Sequence, residues 1–194
     1  MASVRVQLII VAVMVSPLCG GPVDRRSTGD HFRFPCPSHS SALPGAVNTW
    51  DQTFTVQCPS GAAISRVQSV HCNTAEDRVW RFECKVGDFT DHYWAPWVNE
   101  FDGVMNYVCP SGRVVTGFRS EHSNYHEDRR WKIRCSRKAG MTTRNHYQSL
   151  YANSWDGDMN YNVPTNFYIR GMHGYHDNEK EDRLYGFDLC RVQL

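Results

Sequence analysis

Histidine, aspartate and arginine recur together three times along this 194-residue chain, at matched spacing. The copies are Glu76-Asp77-Arg78, Glu127-Asp128-Arg129 and Glu181-Asp182-Arg183, and His71, His122 and His176 each lie six residues before the aspartate. A serine, a histidine and a carboxylate are the parts of a hydrolytic relay, and Ser120, His122 and Asp128 supply one of each. Sequence nearness does not make relay geometry, however. The set also repeats as Ser69, His71 and Asp77, whereas an enzyme needs one site, and no nucleophile-elbow sequence is present. Three histidines meeting on one axis would suit a metal, but histidines of this kind are more often satisfied by a carbonyl. Asp156-Gly157-Asp158 opens like a calcium loop, yet Tyr161 stands where that loop needs glycine and Phe167 where it needs glutamate. The reading is therefore of a non-enzymatic protein with no metal and no cofactor.

An Asp-Arg pair followed by an aromatic is instead what a repeated structural unit would carry. The aspartates are 51 and 54 residues apart, and an aromatic-Asp pair opens each copy at Trp50-Asp51, Phe101-Asp102 and Trp155-Asp156. Such a period means one unit built three times. Trp80, Phe82 and Cys84 alternate with Arg81 and Glu83, and Trp131, Ile133 and Cys135 alternate with Lys132 and Arg134. That period of two marks half-buried strands. In the third copy Gly186 reads as one inserted residue between Tyr185 and Phe187, hence a bulge, with Cys190 taking the place of Cys84 and Cys135. The expected fold is all-β: three repeats in one disulfide-stapled domain, arranged as a pseudo-threefold β-prism or β-trefoil, or else as an irregular stapled sheet. Repeat boundaries fall at about 49–97, 98–151 and 152–194.

Parity puts Arg78 on the face of Trp80, and Arg129 on the face of Trp131. A buried guanidinium needs an anionic partner. Arg78, Arg129 and Arg183 are thus expected to pair with repeat carboxylates, Asp51, Asp102 and Asp156 or the neighbouring glutamates. Asp77, Arg78, Trp80, Asp128, Arg129, Trp131, Asp182, Arg183 and Tyr185 are read as the structural frame. The polar loop before each frame strand is the candidate binding surface: His122, Tyr125, His126 and Glu127 in the second copy, with the aromatic stretch Tyr93, Trp94 and Trp97 as a further candidate. Tyr125 and Tyr175 lie beside acidic residues, which suits tyrosine sulfation.

Residues 1–20 carry Arg5, the apolar run Leu8–Val15 and small residues at Gly20 and Gly21, the pattern of a secretory signal too short to span a membrane. Residues 21–48, with Pro35, Pro37, Pro44 and a serine cluster, read as an irregular arm, and 49–194 as the repeat domain. Basic and acidic residues nearly balance, 21 against 20, which argues against nucleic acid as a partner. The chain has no Asn-x-Ser/Thr sequon and no Arg-Gly-Asp. Loss of Cys19 with the signal leaves an odd number of cysteines in a secreted setting where disulfides form. Equal spacing within equivalent repeats pairs Cys58 with Cys84 and Cys109 with Cys135. Cys36 is expected to pair with Cys190, leaving Cys72 odd. The rival is Cys36 with Cys72, leaving Cys190 for a bridge between molecules. Either a disulfide-linked or a non-covalent oligomer is compatible.

Several motifs resemble the dermatopontin family, most closely its invertebrate haemagglutinin/amebocyte aggregation factor branch. They are Trp97-Val98-Asn99-Glu100-Phe101-Asp102-Gly103, Cys109-Pro110-Ser111-Gly112, and Ser120-Glu121-His122 running into Glu127-Asp128-Arg129-Arg130-Trp131. The resemblance covers about residues 49–194. It implies a secreted extracellular-matrix or adhesion protein whose partners are matrix glycoproteins, proteoglycans or cell-surface glycans. A soluble lectin-like agglutinin or a secreted cytotoxin is the alternative. The third copy departs from the pattern: Val163 replaces the first cysteine and Tyr185 replaces tryptophan.

Overall fold

A computed structural model describes residues 35–194 apart from 60 and 111. The signal segment, Cys19 and most of the arm lie outside the described residues. The described residues form one compact unit, almost wholly of strands and turns. The one helix among the described residues, α1 (His39–Ala42), is a single turn capped by Ser38.

Each repeat contributes a long hairpin: β2 (Gly61–Cys72) with β3 (Asp77–Phe89), β6 (Val114–Ser123) with β7 (Asp128–Arg137), and β10 (Tyr168–Asp177) with β11 (Asp182–Gln193). The short strand that opens each repeat does not join its own hairpin. Strand β1 (Phe54–Gln57) pairs with β6, β5 (Met105–Val108) with β10, and β9 (Met159–Asn162) with β2. The third repeat thus hands its strand back to the first, and the exchange is cyclic. Two hairpins gain a fourth strand, β4 (Asp91–Trp94) on β7 and β8 (Thr142–Gln148) on β11. Among the described residues the hairpin β2–β3 has none, so β3 is the edge of its sheet there.

A bulge recurs at the same point of each hairpin. The register skips Ser65, Thr116 and Arg170 on the first strand. Each skipped residue turns its carbonyl to the incoming strand: Cys58 N–H donates to Thr116 O, Cys109 N–H to Arg170 O and Val163 N–H to Ser65 O. A bulge frees one backbone group from the ladder, and here that group receives the exchanged strand. The bulge expected at Gly186 is therefore misplaced. Gly186 pairs in register with His173, and a Cβ there would lie 2.2 Å from the His173 ring. The glycine makes room for an imidazole. With no insertion, Leu189 is the counterpart of Cys84 and Cys135: Ile64, Val115 and Ile169 are their register partners.

The core lies on the pseudo-axis. Trp80, Trp131 and Tyr185, one per repeat, meet edge to face with ring centroids 4.8, 5.0 and 5.8 Å apart. All three are buried. Such contacts are favourable beyond the area they hide. Disulfides join Cys58 to Cys84 and Cys109 to Cys135, as the spacing predicts. The third bond joins Cys36 to Cys72, which corrects the expected Cys36–Cys190 pairing and the assignment of Cys72 as odd. Cys190 is the free thiol among the described residues. It points into a small core of Ala63, Phe89, Val114 and Met141, and burial pushes its pKa up to about 11. A protonated, enclosed thiol is a poor candidate for the intermolecular bridge of the rival reading.

Candidate functional site: three seams and three unlike tips

Where one repeat meets the next, the triplicated residues assemble into a seam. Arg129 of the second repeat donates through Nε and Nη2 to Asp77 of the first, at 2.5 and 2.7 Å. Arg183 does the same to Asp128, at 3.0 and 2.6 Å. Arg78 closes the circle on Asp182, at 2.9 and 2.6 Å. The arginines are buried ion-pair residues as expected, but their partner is the triplet aspartate of the preceding repeat, not Asp51, Asp102 or Asp156. The reason is geometric. The frame strand carries its arginine across to the neighbour, while the repeat-opening aspartates turn back on their own unit.

Those opening aspartates adopt left-handed backbone, with φ of 63°, 60° and 56° at Asp51, Asp102 and Asp156. Their N–H groups donate to the triplet aspartate of the same repeat at 2.8–2.9 Å. Glu76, Glu127 and Glu181 are also left-handed. Non-glycine residues in this region cost energy and persist where surroundings over-determine them. Each triplet aspartate thus receives an arginine fork from one repeat and a backbone N–H from its own.

The histidines fill the same seams. His122 lies 3.5 Å from Asp51 and 4.0 Å from Asp77. His71 faces Asp156 and Asp182 at 3.7 and 3.6 Å, and His176 faces Asp102 and Asp128 at 3.9 and 3.4 Å. Each side chain is only 1 % exposed. Each histidine sits between two carboxylates of the preceding repeat rather than with the other two. Asp51, Asp77 and His122 bring three ligand-type atoms within 4.8 Å, but Asp77 is already engaged by Arg129. The hydrolytic set is not assembled either: Ser120 Oγ donates to Arg130 O, and Asp128 belongs to Arg183 and His176.

Burial opposes the charge on Asp128, yet contacts from His176 and Arg183 outweigh it and lower its pKa to about 2. Asp182 is likewise held low against burial, by Arg78 and then His71. Burial also works against the Arg78 and Arg183 guanidiniums, and their aspartates more than compensate. These are charges stable only as pairs.

Two triplicated asparagines escaped the sequence reading. Asn48, Asn99 and Asn153 each accept from the N–H of Trp80, Trp131 or Tyr185 and donate to the carbonyl of Arg78, Arg129 or Arg183. They clip the entry segment to the frame strand, so the repeat begins before Thr49, inside the stretch read as arm. Their signal was constant spacing, three residues before each opening aspartate. Asn73, Asn124 and Asn178 follow each histidine by two.

The proposed binding residues scatter. His122 is buried in a seam, which removes it from the surface. Tyr125 is 90 % exposed at the β6–β7 tip. His126 pairs with Asp102 at 2.7 Å and stacks on Phe101. Asp102, Tyr125, His126, Glu127, His176, Asn178 and Glu181 line an open groove of about 480 Å³ between the second and third tips. Tyr93, Trp94 and Trp97 lie elsewhere, on and after β4. The Tyr93 hydroxyl bonds that of Tyr107 and its ring packs on the core. Trp97 carries Arg130 and Lys132 against its ring, at 4.3 and 4.8 Å.

The comparison with known families matches residues 48–194 to the Dermatopontin family. The chain belongs to the dermatopontin family. It is 39% identical over 151 residues to a hemagglutinin/amebocyte aggregation factor of Limulus polyphemus, covering 76% of this chain and 87% of that protein. It is 34% identical over 170 residues to Millepora cytotoxin-1 of Millepora dichotoma, covering 87% and 76%. Dermatopontin of Biomphalaria glabrata is 37% identical over 146 residues, 75% of this chain and 99% of that one. No solved structure matches. The family match begins at Asn48, the first seam asparagine. Among the described residues no helix is long and apolar enough to cross a membrane.

Proposed function

We propose that this dermatopontin-family chain is a secreted, non-enzymatic adhesion protein that binds glycans of matrix or cell surfaces through its hairpin tips. One observation carries the reading. The repeated histidines, aspartates and arginines are consumed by the seams, while the tips, apart from the shared exposed asparagines Asn73, Asn124 and Asn178, differ: Thr74-Ala75, Tyr125-His126 and Glu179-Lys180. Ligand contact falls to the unlike residues. The groove between the second and third tips suits a saccharide, with the exposed Tyr125 ring to lie on a sugar face. Its acidic lining favours neutral sugars over sulfated chains. Unequal tips give unequal affinities, and bridging then rests on multivalency.

The names of the Limulus and Millepora relatives support a second reading, a body-fluid agglutinin or a cytotoxin. A glycan and matrix-protein array with the secreted protein tests the proposal. Binding to neutral glycans that Tyr125→Ala weakens is expected. Binding confined to sulfated chains would move the site to the basic face of Arg130, Trp97 and Lys132. Lysis of cells by the pure protein without glycan binding would favour the cytotoxin.

A further inference from the structure

Among the described residues the second and third hairpins each carry a fourth strand, and the first does not. On β7 the amides of Ala95 and Val98 donate to Ile133 O and Trp131 O, and on β11 those of Ser149 and Ala152 donate to Phe187 O and Tyr185 O. On β3 only the second of these contacts exists, from Val47 N–H to Trp80 O. The residue in the position of Ala95 and Ser149 is Pro44, which has no N–H to give. Before Pro44 the chain leaves the edge and turns into α1. By the parity of Trp80, the N–H and C=O of Phe82, Cys84 and Val86 therefore face outward with no strand against them among the described residues.

The difference shows in burial. Cys135 lies under Tyr93 of β4 and Leu189 under Tyr147 of β8, and both are 0 % exposed. Cys84, in the same position, is exposed, and Val86 is 82 % exposed. The open edge is short, because Gly87 and Asp88 bulge out of register beyond Val86. An open edge with unpaired N–H and C=O groups is a template for another strand.

We propose that β3 is a dimerisation edge, pairing antiparallel with β3 of a second copy about a twofold axis at Cys84. The occupant follows from charge and register. Outward-facing residues must form the hydrogen-bonded pairs, which sets Cys84 opposite Cys84 and Phe82 opposite Val86 of the second copy. The residues between them are then Glu83 opposite Lys85, twice, in the closely spaced non-hydrogen-bonded pairs where opposite charges attract. Centring the twofold on Glu83 or Lys85 would oppose like charges. Centring it on Phe82 would collide with the arm at Trp80. Lys85 also gains from the pairing. Burial lowers its pKa, and among the described residues its ammonium meets the Phe167 carbonyl and the Tyr168 ring. A carboxylate from the second copy would supply its missing counter-charge. Glu83, held loosely by Arg66 and Arg81 at 3.2 and 3.3 Å, is half-exposed and free to turn. The product is a six-stranded sheet, β9-β2-β3 continued by its mate, with six tips per particle.

Sedimentation equilibrium of the full secreted chain tests this. The expected result is a monomer–dimer equilibrium that Glu83→Lys weakens at least tenfold by setting two lysine pairs face to face. The double swap Glu83→Lys with Lys85→Glu should restore it. Val86→Asp, at a side chain that touches little, should also weaken dimerisation with the melting temperature unchanged. A monomer at every concentration, or a dimer indifferent to Glu83→Lys and Val86→Asp, overturns the proposal. A dimer that appears only when the chain before Cys36 is removed also overturns it, and assigns the edge to that segment.

Discussion

The seams and the tips are a few residues apart in sequence and opposite in character. The seams use the same histidine, aspartate, arginine and asparagine three times, packed together where one repeat meets the next. The tips share only an asparagine and a glutamate, and beyond that asparagine they present different residues to solvent. A residue repeated in every unit of a closed ring is first a solution to closing the ring. A residue that varies around the ring is released from that duty and is available for recognition.

Breaking a seam should have the largest effect. Arg129→Ala leaves Asp77 as a buried carboxylate without its fork, a change that costs about 3–5 kcal/mol. Denaturant unfolding should show it, and Asp77→Ala with Arg129→Ala together should cost less than the two separate losses summed. Additive losses would mean that the pair is not the unit. Removing Cys109–Cys135 by paired alanines should cost about 3 kcal/mol in the chain-entropy model. The third repeat, with Val163 and Leu189 in those places, shows that apolar packing can stand in for the bond.

Acid should open the seams more gently. Asp128 has its pKa depressed to about 2 in the fold. A depressed carboxylate contributes stability that is present above its unfolded pKa near 4 and is lost as pH falls through the folded value. Between about pH 4 and pH 2 this aspartate should remove about 2 kcal/mol, and Asp182 acts in the same direction. Asp128→Asn should lower stability at neutral pH and flatten that slope. A slope unchanged by Asp128→Asn would place the acid response elsewhere.

Much of this was legible because it is local. The period, the alternation along Trp80-Phe82-Cys84, and the burial of the arginines all follow from nearest neighbours in sequence. The partner of each arginine was not, because Arg78 meets Asp182 across 104 residues and the exchange of β1, β5 and β9 leaves no local trace. Cys190 misled for a different reason. A leucine had replaced the repeat cysteine at Leu189, and an unrelated cysteine followed it, so an insertion at Gly186 seemed needed. The three seam asparagines were legible by spacing alone, since Asn48, Asn99 and Asn153 stand at one offset, but Asn48 fell within a stretch assigned to the arm. The tips gave the least, because recognition residues that differ between copies carry no periodic mark.

The smallest structural effect should come from the tips, and it is there that the division between frame and recognition is most exposed to failure. Tyr125→Ala with His126→Ala removes an exposed ring and a surface His–Asp pair, and the melting temperature should stay within the range of ordinary surface changes, about 0.5 kcal/mol. Glycan or matrix binding by this variant, measured beside its thermal melt, is the direct test. Binding weakened on an intact fold is the predicted result. Full binding with an unchanged melt would contradict the account.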